Sequence, residues 1–244
     1  MSIRAVILGA GDHGRLLHSL LCRAFRLGGS YEFDEVVFTD RDIPPGALID
    51  GLYGDVIGTD DAILGLDRPS VSLYNGLGSV GKIGARARAF DRYFDDGWTF
   101  GVYQHRSAVV DTGRVCQGDQ FMAGCIVQPG AEIGANVLVN TGATIDHDCV
   151  IGPHCHIAPG AVLSGRVTVG ARTHIGTGAR VIQGVNIGSD CVIGAGAVVV
   201  RDVIDGLTVV GCPAEPINEH SLRRRIDGLE LENAALRAKL GLTA

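Results

Sequence analysis

His147 sits in the segment Asn140-Thr141-Gly142-Ala143-Thr144-Ile145-Asp146-His147-Asp148-Cys149, with a carboxylate on either side. An imidazole beside a carboxylate has the parts of a general base: a side-chain type that titrates near neutrality, and an acid that orients it and holds its tautomer. His156 follows nearby, and His174 comes 18 residues after it. The chain also has seven cysteines, whose use depends on which way they face.

The elements that must hold His147 are set by a six-residue period. From Val109 to Val199 every sixth residue is aliphatic or aromatic. Neither helix nor flat sheet has that period; it is the mark of a hexapeptide β-helix, in which one large side chain per hexad enters a narrow axial core. A second, mostly small series follows four residues behind, running Ala131, Val137, Ala143, Cys149, Cys155, Ala161 and on to Ala197. Cys125, Cys149, Cys155 and Cys191 occupy this small inward position, so they read as buried apolar thiols rather than as disulfide or metal ligands. Glycines such as Gly130, Gly134, Gly152, Gly170, Gly188 and Gly194 fall where turns need permissive backbone angles. If three hexads close one triangular coil, residues 18 apart stack on one face. His147 then lies just past the inward Ile145, near a turn and facing outward, and His174 lies one coil above His156.

The N-terminal third reads differently. Arg4-Ala5-Val6-Ile7-Leu8 is a buried strand, Gly9-Ala10-Gly11-Asp12-His13-Gly14 turns, and a helix runs from about Arg15 to Leu27. The N-H groups that open such a helix form an anion site. A second strand, Glu35–Thr39, ends at Asp40, where a carboxylate can meet a ribose or base. A third, Ser70–Tyr74, leads into Asn75-Gly76-Leu77-Gly78 and an Ala- and Arg-rich helix through Ala89. The expected fold class is α/β plus β-helix: a small Rossmann-like unit over residues 1–98, a left-handed parallel β-helix over 99–217, and a C-terminal α-helix over 218–244. In that last segment Ile226, Asn233 and Leu240 fall at a positions and Leu222, Leu229 and Leu236 at d positions, a seam that predicts association between chains.

A formal charge of −6 argues against a nucleic-acid groove or an anionic membrane surface. The absence of a long apolar run or an export signal makes cytoplasm the expected location, without membrane insertion.

With these segments in view, the chain resembles the hexapeptide-repeat sugar acyltransferases that include sialic acid O-acetyltransferase and the bacillosamine and perosamine N-acetyltransferases. The likeness rests on VILGAGDHG at 6–14, FTDRD after the second strand, NTGATIDHDCVIG at 140–152, HIAPGAVLSGRVTVG at 156–170, and IGAGAVVVRDV with VVGCPAEPI near the end. It implies a homotrimer, with acetyl-CoA in the groove between neighbouring prisms and a nucleotide-linked amino sugar on the N-terminal unit. By the same resemblance His147 is the catalytic base and Asp148 its acidic partner. His156 contacts the acetyl donor, the Gly165 N-H meets the thioester oxygen one coil above His147, and Asn140 lies on the substrate side. His13 and Asp40 contact the nucleotide-sugar, joined by Gly11 of the glycine loop and Asn75 at the end of the third strand.

The expected reaction is acetyl transfer from acetyl-CoA to the amine of a nucleotide-linked sugar, with no resident metal. Transfer to a hydroxyl, as in sialic acid O-acetyltransferase, would use the same residues. A more distant alternative is a zinc enzyme of γ-class carbonic anhydrase type, for which His147, His154, His156 and His174 offer imidazoles. The departures from the family pattern are the residues after Asp40, the Leu27–Glu32 stretch and the tail beyond Ile217.

Overall fold

The computed structural model describes residues 4–26, 33–47, 55–78 and 83–217. The helix expected beyond residue 217 and the Leu27–Glu32 stretch lie outside them.

Four parallel strands make the N-terminal sheet: β1 (Arg4–Leu8), β2 (Glu35–Thr39), β3 (Val56–Gly58) and β4 (Val71–Asn75), in the order β3-β2-β1-β4. β1 lies between β2 and β4 and is covered on both faces, which explains its unbroken apolar run. Helix α1 (Asp12–Arg26) places Leu17 and Leu21 on the face carrying Ala5 and Ile7, and α2 (Ile83–Asp95) places Phe90 and Tyr93 on the face carrying Val6 and Leu8. The sequence reading starts α1 three residues late and omits β3, a three-residue strand too short to show a period. After α2 the chain does not turn into the prism at once. Leu73 pairs with Phe100, so the N-terminal sheet extends two residues beyond the expected boundary at 98.

Residues 103–217 wind into a prism of three sheets, parallel except where Thr208–Val210 pairs antiparallel with Glu215–Pro216 at the end of the first. The first face stacks Gln120–Phe121, Leu138–Val139, His156–Ile157, His174–Ile175 and Val192–Ile193. The second stacks Ile126–Val127, Thr144–Ile145, Val162–Leu163, Arg180–Val181 and Val198–Val199. The third stacks Glu132–Ile133, Val150–Ile151, Thr168–Val169 and Asn186–Ile187. From Phe121 to Val199 the expected large and small residues are all buried along the axis. Two ends depart from the 18-residue register. In the first turn Val110, not Val109, pairs with Val127, so one residue is missing and Val109 (58% exposed) and Val115 (44%) face out. At the other end Ile193 pairs with Val209.

The corners also correct the reading of the glycines. One residue per hexad is left-handed, with φ between +55° at Arg172 and +77° at Gly130 across residues 124–196. Gly134, Gly152 and Gly170 are not at that position. A Cβ on Gly152 would stand 2.7 Å from the Ala171 nitrogen, so these glycines let successive coils stack closely. The inward cysteines behave as expected: Cys149 and Cys155 donate to the Ser164 and Gly170 carbonyls, and burial pushes the Cys125 and Cys155 thiols up to about 12. Among the described residues no helix is long and apolar enough to cross a membrane.

Candidate active site

The corner between the second and third faces carries His147. Its Nδ1 lies 2.8 Å from Asp148 Oδ2, and its own N-H donates to Asp146 Oδ1 at 2.7 Å. Asp148 is left-handed (φ +57°), a conformation open to Asp because its short side chain bonds locally. Two glycines make room for the pair. A Cβ on Gly165, one coil above, would run into His147 Nε2, and a Cβ on Gly130, one coil below, would run into Asp148 Oδ1. The Nε2 side of the ring therefore lies against Gly165, with Nδ1 held by the acid. Half-exposed as it is, with 46% of the His147 side chain accessible, Nε2 can meet a ligand. The Gly165 N-H has no hydrogen-bond partner among the described residues.

A second polar cluster fills the junction between the N-terminal unit and the first face. Asn140 Oδ1 accepts the Thr141 N-H at 2.7 Å, so its Nδ2 faces His156 Nε2 at 3.1 Å and donates to it. His156 is therefore neutral, with its proton on Nδ1. It is 4% exposed, and burial, aided by His174, Arg86 and His13, presses it down to about 2. His174 stands edge-on to it at 4.9 Å, half-buried and also lowered by burial. Two rungs below His156, Gln120 donates through Nε2 to the Asn75 carbonyl, which turns its Oε1 to His13 Nε2 at 2.7 Å. His13 is pressed down to about 4 by burial and by Arg86.

Sequence reasoning missed the hub of this cluster. Arg86 is fully buried and donates through Nη1 to the Asn75 and Leu77 carbonyls. Burial lowers it to about 9 and Asp119 opposes this, so it stays cationic at neutral pH. Asp119 is also fully buried, raised to about 7 by burial while it accepts the Cys116 and Val137 N-H groups. Arg86 shares a helix with the ordinary Arg88 and Arg92; the one signal was its phase with Phe90 and Tyr93, four and seven residues on. Asn136 Nδ2 lies 3.0 Å from His154 Nδ1, and Asn75 bonds to both Asn136 and the Arg86 carbonyl.

The expected substrate-side residues divide. Gly11 faces open space, with nothing within 4 Å of a built Cβ. Asp40 braces the glycine loop: Oδ2 accepts the Ala10 N-H at 2.8 Å, and Oδ1 accepts those of Asp42 and Ile43. Asn75 corrects the reading. It has no exposure and its amide is spent inside the junction, so it is a strut there and not a surface for ligand. His156 likewise does not project into open solvent, being 4% exposed between Asn140 and His174. Of the four histidines considered for a metal, His156 and His174 meet, His154 lies with Asn136 and Asp91, and His147 occupies another corner. Among the described residues no group of three metal-ligating side chains gathers.

A triangular parallel β-helix wound on a six-residue repeat defines the class of hexapeptide-repeat transferases. The family described as bacterial transferase hexapeptide (six repeats) matches residues 130–165. The acetyltransferase domain of PglB from Neisseria gonorrhoeae is 34% identical, with a TM-score of 0.78 covering 88% of this chain and 99% of that one; it is also solved in complex with acetyl coenzyme A. PerB, the perosamine N-acetyltransferase from Caulobacter crescentus, solved with CoA and GDP-perosamine, is 34% identical, with a TM-score of 0.74 over 88% of this chain and 97% of that one. WeeI from Acinetobacter baumannii shares the fold at 23% identity, with a TM-score of 0.77 over 89% of this chain and 100% of that one. No curated protein sequence matches significantly. The chain belongs to the hexapeptide-repeat family, and the two neighbours named above at 34% identity are acetyltransferases.

Proposed function

We propose that this enzyme, an acetyltransferase using acetyl-CoA as co-substrate, acetylates the amino group of a nucleotide-linked amino sugar, a 4-amino-4,6-dideoxy sugar being the expected acceptor. The observation that carries this reading is the His147–Asp148 pair lying on Gly165. As the neutral amine attacks the thioester carbonyl, His147 Nε2 takes a proton from nitrogen and returns it to the departing CoA thiolate. Asp148 holds Nδ1-H, which leaves Nε2 free to accept. The Gly165 N-H faces the developing oxyanion. No covalent enzyme intermediate is required, because the amine is already a nucleophile.

The Rossmann-like unit of residues 1–98 takes the nucleotide through the opening turn of α1 and the open face at Gly11, with His13 and Asp40 shaping the loop. Asn140 lies at the corner of the first and second faces and His156 on the first face, whereas His147 lies at the corner of the second and third, so one chain does not bring them together. A homotrimer, in which a neighbour's corner closes on this junction, does. Residues 218–244 are assigned to oligomerisation, and light scattering of a chain truncated after Ile217 tests that assignment.

Thiol release from acetyl-CoA, measured with UDP-, GDP- and dTDP-linked 4-amino sugars and with free sialic acid, decides the acceptor. Turnover of an amino sugar is the expected result; turnover of sialic acid alone reverses the reading in favour of O-acetylation.

A further inference from the structure

Among residues 124–196, six non-glycine residues hold the left-handed corner position: Asn136, Asp148, His154, Arg166, Arg172 and Asp190. Each forgoes the freedom a glycine has in this conformation, so each side chain should have a use. Five have an answer within the chain. Asn136 bonds to His154, Asp148 holds His147, and Arg172 grips Asp190 through two 2.7 Å bonds. Arg166 is exposed and has no hydrogen bond or ion pair from its side chain among the described residues.

The two arginine corners have the same spacing and opposite outcomes. Arg172 and Asp190 are 18 residues apart and close a fork across one coil; Asp148 and Arg166 are also 18 apart and do not. The reason lies one coil below, where Gly130 has no side chain and Asp148 Oδ1 drops into the space a Cβ would fill. The carboxylate is drawn down and across to His147 and away from Arg166. Meanwhile the Arg166 N-H donates to the His147 carbonyl at 2.9 Å, fixing the Arg166 backbone one coil above the pair.

The geometry points to Arg166 as the contact for the anionic group of the acceptor, an oxyanion about one sugar ring from the atom that is acetylated. This rests on the acetyltransfer reading above. Reach separates the two substrates. The phosphates of acetyl-CoA lie a pantetheine arm of ~15 Å from the thioester, about three coils at ~4.8 Å each. A phosphate across a pyranose from its 4-amino group is only about 6–7 Å from that nitrogen, within the span of an arginine rooted beside Gly165. A planar fork with several donors suits a phosphate or carboxylate.

The test compares the full-length wild type with Arg166→Gln and Arg166→Lys in thiol-release kinetics. The acceptors are a GDP-linked 4-amino-4,6-dideoxy sugar, free sialic acid, and the methyl glycoside of the amino sugar, which has no anion. Arg166→Gln is expected to raise KM about 10- to 100-fold for whichever anionic acceptor the wild type uses, with a smaller change in kcat and in KM for acetyl-CoA. Arg166→Lys recovers part of the loss, and the penalty vanishes on the methyl glycoside. The proposal is overturned by a rise in acetyl-CoA KM with acceptor KM constant, by equal losses on charged and neutral acceptors, or by wild-type values throughout. A wild type that acetylates none of the three overturns the underlying reading as well. The GDP-sugar and sialic acid arms separate a phosphate from a carboxylate as the group held.

Discussion

Three histidines of this chain, His147, His13 and His156, occupy two settings. At the outer corner His147 is half-exposed, paired with one carboxylate and seated on a glycine. At the junction His13 and His156 are enclosed, share the field of Arg86, and are pressed to about 4 and about 2. In the reaction proposed above, proton exchange belongs to the first setting, because a base must gain and lose charge without losing its solvation. The second setting suits residues that stay neutral and keep one hydrogen-bond polarity, as the Asn140–His156 and Gln120–His13 pairs do. A histidine's type therefore says little until burial and partners are known.

The sharpest way to break this comparison is to remove the corner base. His147→Ala should lower kcat about 10²- to 10⁴-fold with circular dichroism and oligomer mass preserved; a rate near wild type would move the chemistry elsewhere. Gly165→Ala tests the seat rather than the base. Its methyl group must displace the imidazole, and a shift of this kind costs on the order of 10²-fold in kcat, with the same melting temperature to within a few degrees.

The junction should answer to stability before activity. Arg86→Met takes the side-chain donor from the Leu77 carbonyl and leaves the Asn75 carbonyl with Gln120 alone, and is expected to destabilise by about 1–3 kcal/mol, read as a lower denaturant midpoint.

The smallest effect is the dependence of stability on pH. His13 and His156 lie below their ordinary 6.5 in the folded chain, so their contribution is complete above pH 6.5 and is lost as pH falls toward 4 and then toward 2. Asp119 acts in the opposite sense. Raised from 3.8 to about 7, it favours the folded state at low pH and loses that contribution as pH climbs through this window. Asp119→Asn should therefore widen the drop in melting temperature between pH 7 and pH 5, whereas an identical drop in variant and wild type would mean that the carboxyl is not held neutral.

Much of the architecture was legible in the chain because a β-helix is built from local repeats. A residue's role follows from its place in the hexad, so the inward thiols, the outward His147 and its acidic neighbour could be read without knowing any distant contact. The hexad carried no warning of the one-residue slip that turns Val109 outward. Period alone cannot see a register set by pairing with the next coil. Nor could it say that Gly152 is there for coil stacking and not for its backbone angle.

The sequence by itself determined the prism, the pair at 147–148 and the strand–turn–helix opening, since each depends on neighbours within a few residues or on a strict period. Tertiary structure alone decided what happens where the two units meet. Arg86, Asn75, Asp119 and His156 come from segments far apart in the chain. Their burial, the neutrality of the histidines, and the enclosure of Asn75 as a strut arise only when the α/β unit packs on the Gln120 and Leu138 rungs of the first face and excludes water there.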